Sequence, residues 1–115
     1  MPSQTQYCVV LTTVQDERVA QAIIDALLQK KLAACVQVKT VDSHYVWQNE
    51  CCHDVELQLM IKTTMACYAA VEEVIRLCHD YAVPEIIAWP ITQGSAAYLA
   101  WIEECCLSKG SIDPG

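Results

Sequence analysis

The sequence has few basic residues and few glycines, and each shortage excludes a class of function. Lys and Arg together number 7 against 14 Asp and Glu, which gives a net charge of −7. Nucleic acids and anionic membranes both select clustered Lys and Arg, so neither is expected as a partner. The three glycines stand in neither a GxGxxG nor a GxxxxGKS/T pattern. Nucleotide hydrolysis of the P-loop kind is therefore excluded.

Other absences concern the compartment and catalysis. No apolar run approaches the roughly 18 residues of a membrane-spanning helix, and the first residues lack the segments of a secretory signal. We therefore expect a cytoplasmic protein that does not enter a membrane. No GxSxG motif is present, so a serine hydrolase of the elbow type is not expected. The chain is predicted not to be an enzyme, although a Cys/His nucleophile pair needs only spatial adjacency and stays open.

The eight cysteines lack the C-x-x-C spacing that is typical of structural zinc sites. Adjacent side chains point in different directions on a strand or a helix, so an adjacent pair chelates one ion poorly. Because no secretory signal is recognised, we expect reduced thiols rather than a disulfide framework. The cysteines stand singly at 8, 35, 67 and 78 and as pairs at 51/52 and 105/106.

Apolar residues are plentiful. They make up 54% of the 115 residues, whereas charged residues make up 18%. This length suits one domain with one core, and we expect a single domain over residues 1–115 with disordered tails at 1–6 and 108–115. The apolar excess predicts surface that is hidden against other subunits.

The first half of the chain predicts a buried strand, a helix and a long hairpin. Tyr7 to Val14 is apolar and rich in β-branched residues, and Asp16 can cap a helix that ends near Lys30. Two antiparallel strands of about 12 to 16 residues follow, Leu32 to Trp47 and a segment that includes the alternation from Val55 to Lys62. Such a hairpin would overhang the domain, so its far end should pair with something else.

The second half predicts a helix, an edge strand and a last helix. The helix runs from Ala66 to His79, and the strand from Ile86 to Thr92 contains a proline, which belongs at a sheet edge. Gly94-Ser95 caps the last helix, with an apolar stripe of Tyr98, Trp101 or Ile102, and Cys105. The fold class is therefore α+β: a ferredoxin-like split βαβ (β-α-β-β-α-β) plus a C-terminal helix. Copies of the same chain in a closed ring would cover its open sheet face.

The stretch LCHDYAVPEI places a thiol, Cys78, beside an imidazole, His79. Cys78 continues the apolar stripe of its helix, so it is either a small core residue or a metal ligand. His79 lies about 100° around the helix from that stripe, at the C-terminal end. It is either a solvated capping residue or a ligand, and both residues can bind one ion only if the helix unwinds there.

A second candidate metal site lies in the hairpin. If Asn49 and Glu50 form the turn, Val46 pairs with His53. Three side chains on one strand face could then bind one soft or borderline metal ion together. The alternative is a solvent-facing polar hairpin tip. The candidate ligands are His44, Cys51 and His53.

Glu56 and Lys62 fall on one face of the second hairpin strand. They either form a solvated surface or line a polar cleft, and periodicity does not separate the two interpretations.

Six stretches of the chain are distinctive when taken together: LTTVQDE, KKLAACVQV, SHYVW, VELQLMIKTT, HDYAVPEIIAWPIT and YLAWIEE. On these stretches the chain resembles the CutA family of divalent-cation-tolerance proteins from about Tyr7 to Cys106. The resemblance implies a ferredoxin-like subunit in a cytoplasmic homotrimer similar to the nitrogen-regulatory PII proteins. It also implies a link to copper or another divalent cation, with no established enzymatic activity.

The resemblance also implies site residues. The copper ligands of some bacterial members, a Cys and a His-His pair, correspond to Thr12, Cys78 and His79, and a threonine hydroxyl is a poor copper ligand. Recurrent family positions could line an inter-subunit cleft. These are Tyr45, Trp47, Glu56, Lys62, Tyr81, Glu85 and Trp101.

Two functions follow from the resemblance and from these residues. The first is a non-enzymatic homotrimer that binds divalent ions, copper among them, in metal tolerance. The alternative is a PII-like regulatory module that senses a small, anionic metabolite in the cleft near Lys62 and signals to a partner protein.

Overall fold

The structure is a computed structural model that describes residues 6–106. The predicted disordered tails lie outside the described residues apart from Gln6, whose carbonyl accepts a hydrogen bond of 2.7 Å from the backbone N–H of Met65. The predicted order of elements is confirmed. The elements are β1 (Tyr7–Val14), α1 (Glu17–Gln29), β2 (Cys35–Trp47), β3 (Glu50–Thr64), a 3-10 turn (Met65–Cys67), α2 (Tyr68–Cys78), β4 (Ile86–Pro90) and α3 (Ala96–Cys105).

The four strands form one antiparallel sheet in the order β2-β3-β1-β4. β1 is central and almost wholly buried, as its apolar sequence predicts. β4 is an edge strand that ends at Pro90, where the missing proline N–H costs no ladder hydrogen bond. Among residues 6–106, no helix has the length and apolar character needed to cross a membrane.

One face of the sheet packs against the helices and forms the core. Alternate residues of β1 and β3 point into it, and directly opposed residues such as Val10 and Ile61 share this face. Helices α1 and α3 begin at side-chain caps, since Asp16 accepts from the Arg18 N–H and Ser95 from the Tyr98 N–H. The largest fully buried side chains are Ile23, Leu27, Leu59, Ile61, Ile75 and Ile102.

The apolar stripe predicted for α3 is partly wrong. Ile102 is buried, but Tyr98 and Trp101 are exposed, and Cys106 rather than Cys105 reaches the core. The helix ends at Cys105, and the extended backbone of Cys106 turns its thiol toward Thr63, with 3.7 Å between Sγ and Oγ1. Cys106 lies just beyond the end of the helix, so helical spacing does not predict which of the two cysteines is buried.

The hairpin turn differs from the prediction by one residue. Gln48 and Asn49 occupy it with φ of 52° and 66°, the left-handed pair that a two-residue type I′ turn requires. The predicted pairing of Val46 with His53 is wrong, because Val46 pairs with Cys51 and His44 with His53. The face assignment is unaffected, since moving a two-residue turn by one position keeps the alternation of both strands.

The predicted overhang of the hairpin is confirmed. β3 pairs with β1 only from Leu57 to Thr64, and its residues 50–56 pair with β2 alone. The distal part of the hairpin therefore extends beyond the core, and the edge of β3 opposite to β2 is unpaired there within the described chain.

Candidate ligand-binding cleft and the predicted metal ligands

A cleft of about 670 Å³ lies where the end of β1, the hairpin and the 79–85 loop meet. Its volume is in the range of sites that bind small molecules. Five of the seven predicted cleft residues line it: Tyr45, Trp47, Glu56, Tyr81 and Glu85. The remaining lining residues are Thr13, Gln15, Asp42, Ser43, His44, Asp54, Ala82 and Val83.

The cleft is acidic. Four carboxylates line it, those of Asp42, Asp54, Glu56 and Glu85, and the lining residues of the described chain include no Lys or Arg. A concave site with charges of one sign concentrates ions of the opposite sign. The cleft is therefore suited to a cationic ligand.

Glu56 and Tyr81 form a part-buried polar contact in the cleft. Glu56 is only 7% exposed, and the Tyr81 hydroxyl donates a hydrogen bond of 2.5 Å to its Oε2. Burial first, and then this hydrogen bond, raise the pKa of the Tyr81 phenol above its usual value. The fold favours the neutral phenol, which donates this hydrogen bond. The phenol therefore stabilises the folded protein fully below about pH 10, and this stabilisation is lost as the pH rises through the raised pKa.

A second tyrosine–carboxylate pair lies on the hairpin. The Tyr45 hydroxyl donates to Asp54, and this hydrogen bond is the main cause that raises the pKa of Tyr45 to about 12. Asp54 precedes Glu56 by two residues, so both side chains share a strand face. Both phenols are neutral donors at neutral pH and hold their carboxylates in place.

His79 links these groups to β1. Its Nε2 lies 2.7 Å from the carbonyl oxygen of Thr13, and its Nδ1 accepts a 3.2 Å hydrogen bond from the Tyr81 N–H. The Thr13 hydroxyl in turn donates to Glu85 Oε1 at 3.3 Å. Thr13 and His79 thereby fasten both ends of the 79–85 loop to the last residues of β1.

These contacts bear on the predicted metal role of His79. The His79 side chain is fully buried. Because Nε2 faces a carbonyl oxygen and Nδ1 accepts from an N–H, the ring proton is on Nε2. The lone pair of Nδ1 is already engaged, so neither nitrogen offers a free lone pair to a metal. Asp80 Oδ1 lies 3.7 Å from Nδ1, but it would be an ionic partner only for a protonated ring.

Thr12 and Cys78, the other two copper ligands that the resemblance implies, are no better suited to bind copper. Thr12 Oγ1 is buried without a hydrogen-bond partner in the described part of the chain, on the core face opposite Leu59. Cys78 is half-buried and packs against the core, as one of its two interpretations expected. Across residues 6–106, no group of three or more His, Cys, Asp or Glu side chains is arranged to hold a metal ion. The set Thr12, Cys78 and His79 does not fit copper as it stands.

Lys62 and Trp101, the other two predicted cleft residues, do not line the cleft. Lys62 Nζ lies 5.6 Å from the centre of the Tyr98 ring, and that ring lies 5.5 Å from Trp101. Glu56 and Lys62 share a strand face, but six residues of a strand separate them by about 20 Å. Lys62 is therefore distant from this cleft within one chain, and the inter-subunit cleft near Lys62 stays a prediction.

The hairpin ligands lie close together in part. The rings of His44 and His53 are stacked, with centroids 4.2 Å apart and planes 11° from parallel. Cys51 lies on the same face, opposite Val46. The predicted three-residue metal site stays a prediction, since only the two imidazoles are in contact.

Sequence reasoning missed Thr13, Asp42 and Asp54. Asp54 could have been found from its alternation with Glu56 on one strand face. Thr13 gave no such signal, because its role depends on contacts with residues 66 and 72 positions away.

The comparisons with known proteins agree with the fold. Residues 8–105 match the family model described as CutA1 divalent ion tolerance protein. The divalent-cation tolerance protein CutA of Thermus thermophilus is 45% identical over 97 residues, which cover 84% of this chain and 94% of that protein. The crystal structure of CutA1 from Shewanella sp. SIB1 superposes with a TM-score of 0.87 at 38% identity, covering 92% of this chain and 100% of that one.

A further structure, described as the periplasmic divalent cation tolerance protein CutA from Archaeoglobus fulgidus, has a TM-score of 0.83 at 31% identity. It covers 86% of this chain and 97% of its own.

The substitution Tyr81→Phe tests the Glu56–Tyr81 contact. It should lower the free energy of unfolding by about 1–3 kcal/mol, because it leaves a buried carboxylate without its donor. Denaturant unfolding at a fixed protein concentration measures this. The matched control is Tyr98→Phe, whose ring is exposed on α3 and which should change stability by less than about 0.5 kcal/mol. Equal effects of the two substitutions would contradict the assigned role of Tyr81.

Proposed function

This chain belongs to the CutA family, and from that premise we propose that it is a non-enzymatic homotrimer that binds divalent cations, copper among them, in metal tolerance. The observation that carries the proposal is the cleft lined by four carboxylates. The eight free thiols suit the reducing cytoplasm, where we place the protein.

The donor set of the cleft indicates which cations it prefers. Carboxylate, hydroxyl and carbonyl oxygens suit Mg²⁺, Ca²⁺ and Mn²⁺, whereas copper and zinc prefer imidazole or thiolate. Asp54 and Glu85 are better placed for a cation than Glu56, because Glu56 is buried, whereas Asp54 is half-buried and Glu85 is exposed. These carboxylates would hold a hard divalent ion, with water completing its coordination.

The proposed trimer rests on apolar surface that a single chain leaves uncovered. Ile87 and Trp89 of β4 lie opposite Leu11 and Val9, on the sheet face away from α1 and α2, and both are at least 40% exposed. An edge strand with exposed apolar side chains is a typical surface for association with another chain. Neighbouring copies would cover this face and pair with the overhanging hairpin.

Replacing Trp89 tests this assembly. Sedimentation of the parent should give a mass three times the 12.8 kDa of one chain, and Trp89→Glu should dissociate the trimer because it buries an unpaired charge in the interface. The matched control is Leu77→Glu, since Leu77 is 75% exposed but lies on α2. A monomeric parent, or a trimeric Trp89→Glu variant, would refute the arrangement.

Calorimetric titration of the reduced, full-length protein with Mn²⁺ tests the cation site. The parent should bind Mn²⁺, and Asp54→Asn and Glu85→Gln should each weaken binding by about tenfold or more, which is at least about 1.4 kcal/mol. Glu104→Gln on the exposed side of α3 is the control and should leave the affinity unchanged. Parent binding no tighter than millimolar, or cleft variants that bind like the parent, would rule the site out.

A second candidate function is a PII-like module that senses a small metabolite. The observation in its favour is the aromatic wall of the cleft, formed by Tyr45, Trp47 and Tyr81 beside the carboxylates. Aromatic faces and carboxylates together favour an organic cation, such as a protonated amine, over the anion expected near Lys62. The ligand state would then be passed to a partner protein.

A thermal-shift comparison of cationic and anionic metabolites distinguishes this function. Amines should raise the unfolding midpoint of the parent, since a ligand of the native state stabilises it, and Trp47→Ala should abolish the shift. Lys62→Ala is the control and should behave like the parent. Midpoint shifts caused by anions alone, or no shift with any metabolite, would contradict the metabolite-sensing function.

A further inference from the structure

The face of the hairpin that carries the histidines contains a second group of possible ligands, of which only His44 and the nearby Asp42 also line the cleft. His44 and His53 are directly opposed across β2 and β3. Their rings are in contact at 4.2 Å between centroids. Opposed residues of an antiparallel pair have Cβ atoms only about 5 Å apart, so the backbone holds the two imidazoles together whatever their rotamers.

Asp42 orients one of these rings. Its Oδ1 lies 3.0 Å from His53 Nε2, one pair further along the same strand face. When Nε2 donates to this carboxylate, Nδ1 carries the free lone pair, and the imidazole becomes a better electron donor. A carboxylate that accepts from the distal nitrogen of a metal-binding histidine is the usual outer partner of such ligands. His53 thus differs from His79, whose two nitrogens both have protein partners.

A thiol completes the set. Cys51 is exposed, two residues before His53 on the same strand face and diagonal to His44. Cys52 is its neighbour but points to the opposite face, where it lies opposite Tyr45. The face therefore presents two imidazoles and one thiol within reach of one another, with diagonal Cβ distances of about 7 Å.

We propose that His53 Nδ1, an imidazole nitrogen of His44 and the Cys51 thiolate bind one borderline divalent cation of the zinc or copper class, with Asp42 as the positioning residue. Imidazole and thiolate are the ligands these ions prefer. The stacked rings cannot chelate as they stand, so one ring rotates about its side-chain torsions on binding. Within the single chain this hairpin face is exposed, which leaves room for that rotation, and the Cys51 proton is released to solvent.

Asp42 and His44 also line the cleft, but the hairpin site can be tested separately from it. The cleft ligands tested above, Asp54 and Glu85, are oxygen donors outside the proposed set, and they belong to the hard-cation class. Zn²⁺ is the suitable probe for the hairpin because it has no redox chemistry with a thiol, and Co²⁺ reports thiolate ligation through a charge-transfer band. If the Mn²⁺ experiment on the cleft fails, the hairpin result is unaffected.

The experiment is a competition titration of the reduced, full-length protein with Zn²⁺ against a chromophoric chelator. The parent should bind one Zn²⁺ per chain. Asp42→Asn should weaken binding about 10–100-fold and keep the Co²⁺ band, since the three ligands remain. His44→Ala and His53→Ala should weaken it at least as much, and Cys51→Ser should remove the band.

The matched control is Cys52→Ser, which removes the neighbouring thiol on the opposite face and should keep both the affinity and the band. Glu85→Gln should also bind Zn²⁺ like the parent, which separates this site from the cleft. Thermal unfolding of each variant checks that the hairpin is intact. The proposal is overturned if the histidine variants bind like the parent, if the parent shows no thiolate band, or if Cys52→Ser loses the band as Cys51→Ser does.

Discussion

The left-handed turn at Gln48 and Asn49 is the constraint on which the functional surfaces depend. Its two positive φ values fix the register of β2 against β3, and in a strand pair a slip of one residue moves every side chain to the opposite face. The turn thereby directs Tyr45, Asp54 and Glu56 to one side of the hairpin and His44 and His53 to the other. Backbone geometry therefore places the two tyrosine-bound carboxylates and the two imidazoles on opposite faces.

The same hairpin explains the composition. Only the half of β3 that pairs with β1 contributes to the core. The distal part of the hairpin leaves large apolar side chains exposed on both strands, Val46 and Trp47 on β2 and Val55 on β3. An isolated two-stranded ribbon is marginally stable in water. Its backbone edge and its apolar surface both favour contact with another chain, which is why a chain with 54% hydrophobic residues and this fold is suited to assembly.

Local interactions could be predicted from the sequence, and contacts between distant residues could not. The caps at Asp16 and Ser95, the edge position of β4 and the overhang of the hairpin follow from short-range rules. The turn was misplaced by one residue, because an Asn with positive φ fits either central position of a type I′ turn. Periodicity assigned Glu56 and Lys62 to one face correctly, but a shared face gives no distance, and the two lie at different ends of β3.

His79 illustrates the limit of transferring a ligand role from a resemblance. The resemblance implies a copper-ligand role for this imidazole, yet in this chain it bridges the Thr13 carbonyl and the Tyr81 N–H. Thr13 also donates to Glu85, and Tyr81 donates to Glu56. One buried histidine therefore sets the position of two cleft carboxylates, Glu85 through Thr13 and Glu56 through Tyr81. Thr12 offers a metal no thiolate and Cys78 packs against the core, so the imidazole serves the geometry of the cleft instead.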